Sequence, residues 1–389
     1  MPPARAEGSA MLDDVDLLVC GAGPAGCTIA ERAATQLGWK VLVIDRRAHI
    51  AGNCYDSRHK SGILIHNYGP HYFRTNDDAV LNYLSHFTEW IPAHYEVRSL
   101  VRGELYPFPV NIETLEKFFG RQLDEASAGE LLDSVRVPNL SPTNSEEMAL
   151  SRVGRQLYEA FYRNYTIKQW GLQPSELGPE VCGRIPVKLN RDRRYVTHKH
   201  QVMPKDGFTA LFGKMLAHRR IRLLLDCPFE DVRTLIRPRR ATVYTGPIDD
   251  YFGHYFGKLP YRSLEFRFEE HRAGYVQPCV QINYPNDYDY TRSVEIKHVT
   301  GQVHSHTVVS YETPRAEGEP FYPIPRAENR SLYERYRQLA ERERGVYFCG
   351  RLAQYRYFNT DEVIAEALAC FERIKTECRG RSVPSLQAA

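Results

Sequence analysis

Apolar positions change rhythm several times along the chain. Residues 15–20, broken only by Asp16, and 41–44 are short apolar runs, the pattern of strands buried on both faces. Between them, 24–37 repeats its apolar residues at helical spacing. Strand, helix and strand in that order predict a parallel sheet. Helical spacing returns at 77–87 and 112–119, and 98–105 reads as a strand with a glycine turn. From about 115 to 183 most residues favour helices, which predicts an inserted helical domain. Strand signals resume at 195–198, 221–225 and 241–244, and a tyrosine-rich β region covers 261–311. At the end, 346–349 reads as a strand and 361–377 as a long amphipathic helix.

The expected architecture is therefore α/β. A Rossmann-like dinucleotide-binding domain takes 15–90, 205–250 and 340–378. A helical domain takes 110–185. An antiparallel β-sheet domain takes 91–109, 186–204 and 251–339. Residues 1–14 and 379–389 read as a disordered start and tail. There is no internal repeat.

Composition narrows the function. The 389 residues are 42% hydrophobic and 25% charged, as in an ordinary soluble protein. A net charge of +3 gives no reason to expect nucleic acid or an anionic membrane. Clusters such as Arg191, Arg193, Arg194 and Arg237, Arg239, Arg240 read as solvated faces. No apolar run approaches membrane-spanning length, and the first dozen residues lack a signal core, so a cytoplasmic protein is expected. Nine cysteines without a CxxC pair read as buried thiols in a reducing compartment. Fourteen histidines show no HxxxH spacing, so no metal site is expected.

The sharpest motif is GAGPAG. Gly21, Gly23 and Gly26 follow a strand and open a helix. The first makes a tight turn, the second admits a pyrophosphate, and the third allows helix and sheet to touch. The helix N-terminus offers free N–H groups to the phosphates. Asp45 ends the second strand, placed for ribose hydroxyls. Arg46 and then Gly52 and Asn53 continue the cradle further than a nicotinamide site requires. A second strand, glycine turn and helix at the C-terminus carries Asn359 or Thr360 as its cap, with the helix end directed at a flavin ring. Two such units favour FAD.

Further stretches carry a resemblance. They are GILIHNYGPHYFRTN (62–76), YTIKQWG (165–171), GRIPV (183–187), YTGPIDDYF (244–252), YRSLEF (261–266), YTR (290–292), FYP (321–323) and GRLAQYRYFN (350–359). In order and spacing, over about 15–375, the chain resembles the bacterial UDP-galactopyranose mutase family. That resemblance implies FAD, active when reduced, and covalent catalysis by its N5 with no net redox change. The substrates implied are UDP-galactopyranose and UDP-galactofuranose, and a homodimer is implied as well. Pro24, Ala25, His71, Arg351, Val363 and Ile364 join the implied cofactor set.

For the substrate, the resemblance implies uridine held by Phe161, Tyr165, Thr166 and Trp170, with Asn283 on the uracil. Arg184 and Arg292 take the diphosphate, Arg184 on or beside a mobile loop. Arginine suits this because its planar fork gives two donors to phosphate oxygens. Tyr195, Tyr322 and Tyr357 fall where the family touches phosphates or sugar; Tyr95 and Asn359 are further substrate contacts. The implied catalytic set is Arg184, Arg292 and His71.

Three positions depart from the family pattern. Arg74 stands for a second histidine, Ala51 for a glycine, and Asn359 for an aspartate. Three other readings fit parts of the sequence: a flavin-dependent amine or protoporphyrinogen-type oxidase, a UDP-sugar binding protein without flavin, and a mutase acting on UDP-N-acetylgalactosamine.

Overall fold

The computed structural model describes residues 14–138 and 141–379. The expectations for the extreme start and tail fall outside the described residues. The short apolar runs become strands whose every residue is buried: Leu17–Cys20 and Val41–Ile44. They lie in a five-stranded sheet of order Ile221–Leu224, Val41–Ile44, Leu17–Cys20, Ala241–Tyr244 and Val346–Phe348, parallel throughout. Helices Pro24–Gln36 and Thr360–Arg379 pack on each other, so the two ends of the chain meet.

A seven-stranded sheet runs from Tyr322–Pro323 through Tyr261–His271, Thr307–Arg315, Arg292–Val294, Gln281–Asn283 and Val97–Val101 to Glu104–Phe108. Its pairs are antiparallel except that between Gln281–Asn283 and Val97–Val101. Phe73–Thr75, His200–Pro204 and Trp90–Pro92 make a small third sheet. The helical segment begins at Ile112–Phe119, closed by a capping box between Asn111 and Thr114. Glu125–Val135 and Ser145–Leu157 follow, then a π-type turn at Tyr158–Tyr162 leading into Arg163–Trp170.

Two strand expectations fail. Residues 195–198 are not a strand; beside them Arg194 makes only an isolated bridge to Glu96, and regular pairing starts at His200. The IKHV stretch turns into the short helix Lys297–Thr300. There the buried Lys297 ammonium holds the carbonyls of Gly274 at 2.8 Å and His306 at 2.9 Å, which a continued strand would not permit. Four helices escaped the sequence reading: Phe208–Leu216, Ala327–Ala340 and the single turns Phe229–Val232 and Ile248–Tyr251.

All nine cysteines are buried thiols. Arg191 and Arg193 pair with Glu116 and Glu113, and Arg239 pairs with Asp14 and Asp16, as befits ion-paired solvated faces. Among the described residues no helix is long and apolar enough to cross a membrane.

The Ala51 departure has a local cost. Ala51 sits at φ 71°, in the left-handed region, where its Cβ crowds the next carbonyl. Glycine would remove that clash but adds chain entropy to the unfolded state. Ala51→Gly is expected to leave stability unchanged or raise it by up to about 1 kcal/mol, read by thermal denaturation.

Candidate active site

Gly21 has φ +116°, and a Cβ there would fall 1.9 Å from Thr245 Oγ1. A Cβ on Gly26 would fall 1.9 Å from the Gly21 carbonyl oxygen, so helix and turn meet backbone to backbone. At Gly23 a Cβ would meet nothing nearer than 3.7 Å. That open space belongs to a cavity of about 400 Å³. Gly21, Gly23, Pro24, Ala25, Asp45, Arg46, Gly52, Asn53 and Val363 line it. Ile364 does not; it is fully buried in the core.

Asp45 Oδ2 accepts the Ala22 N–H at 2.7 Å, and Oδ1 accepts that of Arg47 at 2.9 Å. Each oxygen retains a lone pair for a ribose hydroxyl. Helix Pro24–Gln36 has no side-chain cap at Gly23, which leaves its first N–H groups for an anion. The space at Gly23, these donors and the Asp45 acceptors fit a dinucleotide.

A larger cavity of about 940 Å³ adjoins the first, and His71, Arg351 and Thr360 line both. Tyr95, Trp170, Arg184, Tyr195, Arg292, Tyr322, Tyr357 and Asn359 all reach its wall. Arg184 and Arg292 thus share one cleft. Sheet register places Arg292 opposite Glu312, and the two form an ion pair at 2.8 Å. Glu312 is 2% exposed, so removing that partner would leave a buried carboxylate without a counter-charge. Arg292 Nε is buried without a hydrogen-bond partner among the described residues.

Arg184 follows the short helix Glu180–Gly183 and stays solvent-accessible. Arg152 Nη1 donates to the carbonyls of Gly183 at 2.6 Å and Ile185 at 3.0 Å, pinning the chain on both sides of it. The Arg184 guanidinium stands 4.4 Å from the Tyr357 ring centroid, and that of Arg351 stands 5.0 Å away. Burial opposes ionisation of the Tyr357 phenol. Arg184, Arg351, Arg74 and Arg292 overcome it and bring the phenol down to about 8. Tyr322, stacked on the same ring at 5.4 Å, goes the other way, to about 12, because burial dominates there.

His71 bonds through Nδ1 to the Gly69 carbonyl at 2.9 Å. A carbonyl only accepts, so Nδ1 carries the proton and Nε2 is left as an acceptor. Burial, with His66, Arg351 and Arg292 adding to it, pulls its pKa down to about 3. His71 is therefore a neutral hydrogen-bond acceptor at the junction of the cavities. A pH profile between 5 and 7 should carry no His71 ionisation, and His71→Gln should leave its shape unchanged.

Four residues expected at the substrate lie off the cavity wall. Phe161 is core, edge-on to Tyr106 at 5.4 Å. Thr166 and Asn283 are buried, Asn283 accepting from Gln281 Nε2 at 2.7 Å. Tyr165 stands behind the wall, within electrostatic reach of Arg292 and Glu312. Trp170 reaches the wall, 6.2 Å from the Tyr322 ring.

Other wall residues went unassigned. Arg74 donates from Nη2 to Asn359 Oδ1 at 2.8 Å, so two departures from the family pattern touch each other. The Asn359 side-chain oxygen is thereby engaged by Arg74, while its backbone N–H takes Glu362 Oε2 at 2.7 Å. Tyr72 stacks on Tyr95 at 4.4 Å, and Gln281 accepts from the Tyr95 hydroxyl at 2.8 Å. Only the Arg74 departure left a trace in the sequence; Tyr72 and Gln281 gain their places on the wall through stacking and sheet pairing, and Glu312 stands behind it as the partner of Arg292. Asp249, Asp250 and His254 bring ligand atoms within 4.8 Å of one another beside the smaller cavity. There Asp249 Oδ2 accepts the Leu259 N–H at 2.9 Å.

Comparison with known proteins agrees with this geometry. The family profile described as UDP-galactopyranose mutase matches residues 160–357, and that of an NAD(P)-binding Rossmann-like domain matches 19–87. A probable UDP-galactopyranose mutase of Klebsiella pneumoniae is 38% identical over 92% of this chain and 94% of its own. A dTDP-fucopyranose mutase of Escherichia coli is 36% identical over 91% of this chain and 97% of its own. The crystal structure of a reduced UDP-galactopyranose mutase superposes with a TM-score of 0.69 at 17% identity, covering 93% of this chain and 96% of that one, and so shares the fold. With half the chain matched by the family profile and relatives above 30% identity along nearly its whole length, the chain belongs to the UDP-galactopyranose mutase family of isomerases.

Proposed function

We propose that the protein interconverts UDP-galactopyranose and UDP-galactofuranose with reduced FAD in the smaller cavity. The observation that carries this is the shared cleft. Arg184, Arg292 and the Trp170–Tyr322 shelf line the larger cavity, which meets the dinucleotide cavity at His71 and Arg351. Reduced FAD, when bound, supplies the nucleophile N5 for covalent catalysis at the anomeric carbon, with no net redox change.

The chain's own residues do the rest. Arg292 and Arg184 bind the diphosphate and stabilise its charge as it leaves. Trp170 and Tyr322, their rings tilted 54° to each other, offer aromatic faces to the nucleoside. His71 Nε2 accepts a hydrogen bond from a donor at the cavity junction. Enclosure keeps UDP close and water out.

The test is turnover of UDP-galactofuranose by purified protein with and without dithionite. Turnover restricted to the reduced protein is expected, and equal turnover with oxidised flavin would overturn the proposal. UDP affinity should also fall as pH rises through about 8, because the Tyr357 phenolate then competes with the diphosphate for Arg184. Tyr357→Phe should flatten that dependence in a UDP titration.

A second reading concerns the sugar. The Arg74–Asn359 pair on the wall and a relative named for a different nucleotide-sugar favour a changed sugar subsite. Comparing UDP-galactose with UDP-N-acetylgalactosamine at equal concentration decides between them.

A further inference from the structure

Within helix Arg163–Trp170 only Trp170 lines the larger cavity. Lys168, two residues earlier, does something else. Its Nζ donates to the carbonyls of Asp287 at 3.0 Å, Tyr290 at 3.1 Å and Tyr288 at 3.3 Å, and also to that of Tyr284. An ammonium has three N–H donors, so four main-chain oxygens share it. Lys168 makes no ion pair with a carboxylate among the described residues; its partners are backbone.

Those carbonyls belong to the loop 284–291. This loop joins strands Gln281–Asn283 and Arg292–Val294, and the pair next to it in register is Asn283 with Arg292. The loop is thus the closed end of a hairpin whose last pair includes the guanidinium assigned to the diphosphate. It does not hold its shape alone. Tyr288 sits at φ 60°, a left-handed conformation that is unfavourable for a non-glycine residue. Asn286 adds two ties to the helical segment, donating to the Ala160 carbonyl at 2.9 Å and accepting from Asn164 Nδ2 at 3.0 Å. From β-strand Tyr261–His271, Arg262 Nε holds the Gln169 carbonyl at 3.0 Å and so fixes the helix end that carries Lys168.

We propose that Lys168 is a positioning residue for the nucleotide-sugar: its ammonium clamps loop 284–291 to the helix and so sets Arg292 and Asn283 relative to Trp170. This rests on the function proposed above for the cavity. The clamp joins two pieces of chain more than a hundred residues apart. One carries the aromatic shelf and the other carries the cation, so their spacing decides whether base and diphosphate are gripped together. Arg292 is held from its other side by Glu312, so loosening the loop is expected to shift its spacing to Trp170, and hence binding, more than its charge at the chemical step.

Lys168→Met tests this, since it keeps the apolar stem and removes the donors. Amide hydrogen exchange at 284–291 should rise about tenfold. The Kd for UDP and the KM for the UDP-sugar should each rise about tenfold while kcat stays within about threefold. Lys168→Arg, which restores a cation, should recover part of the affinity. Unchanged exchange with unchanged UDP affinity would overturn the proposal, as would a fall in kcat at constant KM. If Lys168→Met does not fold, Asn286→Ala removes the neighbouring ties and must raise exchange and Kd in the same direction; no change in either overturns the clamp. Failure of the unmodified protein to bind UDP would instead refute the nucleotide-sugar reading, and the exchange comparison would still decide the clamp.

Discussion

Arg292→Ala is expected to cut turnover about a thousandfold while the flavin colour remains, because on the proposed function it removes a donor to the leaving diphosphate. The single change also leaves Glu312, 2% exposed, as a bare buried carboxylate. Breaking a buried pair from one side costs about 3–5 kcal/mol, enough to confuse lost chemistry with lost folding. The double variant Arg292→Ala with Glu312→Gln separates them. The amide needs no counter-charge, so folding should return and turnover should not. A double variant that regained activity would show that Glu312, not the diphosphate, is the partner Arg292 serves.

Gly26→Ala should give a nearly colourless protein. The added Cβ would lie 1.9 Å from the Gly21 carbonyl oxygen and 3.0 Å from Val19 Cγ1. The first contact is with backbone, which cannot rotate away, so turn and helix must separate. That separation moves the N–H groups meant for the pyrophosphate, and the Gly21 turn beside Thr245 cannot absorb it. Flavin content after desalting, read from the visible spectrum, measures the loss. Retention of full flavin with an unchanged melting temperature would contradict the close packing described here.

The parts of the fold legible in the sequence were those specified locally. Residues 41–44 and 241–244 form strands at their predicted bounds because short runs of apolar and β-branched residues between turn signals have few other stable fates. Helix Ile112–Phe119 was legible for a similar reason, its Asn111 cap and glycine stop being adjacent in the chain. The strand expected at 195–198 failed because its pairing stops after one bridge: Arg194 faces Glu96 and the Tyr195 N–H reaches the Tyr95 carbonyl at 2.8 Å, but regular pairing starts only at His200. At the site, the GAGPAG turn and Asp45 could be read because the turn's shape and the Asp45 bonds to the Ala22 and Arg47 N–H groups are set by neighbouring backbone. Phe161 packs against Tyr106 and Phe118 off the cavity wall, a placement the sequence could not give because an aromatic in a helix reads the same in a core or facing a cavity.

The chain order of residues therefore settled the dinucleotide turn, the buried parallel strands, the arginine-and-aromatic inventory and the family. It did not contain the pairing of Arg292 with Glu312, the contact of Arg74 with Asn359, or the grip of Lys168 on a loop more than a hundred residues away. Each of these joins segments whose separation along the chain carries no local signal. They arise from sheet register and from helix packing against a sheet, which satisfy the buried charges and carbonyls of the whole molecule at once.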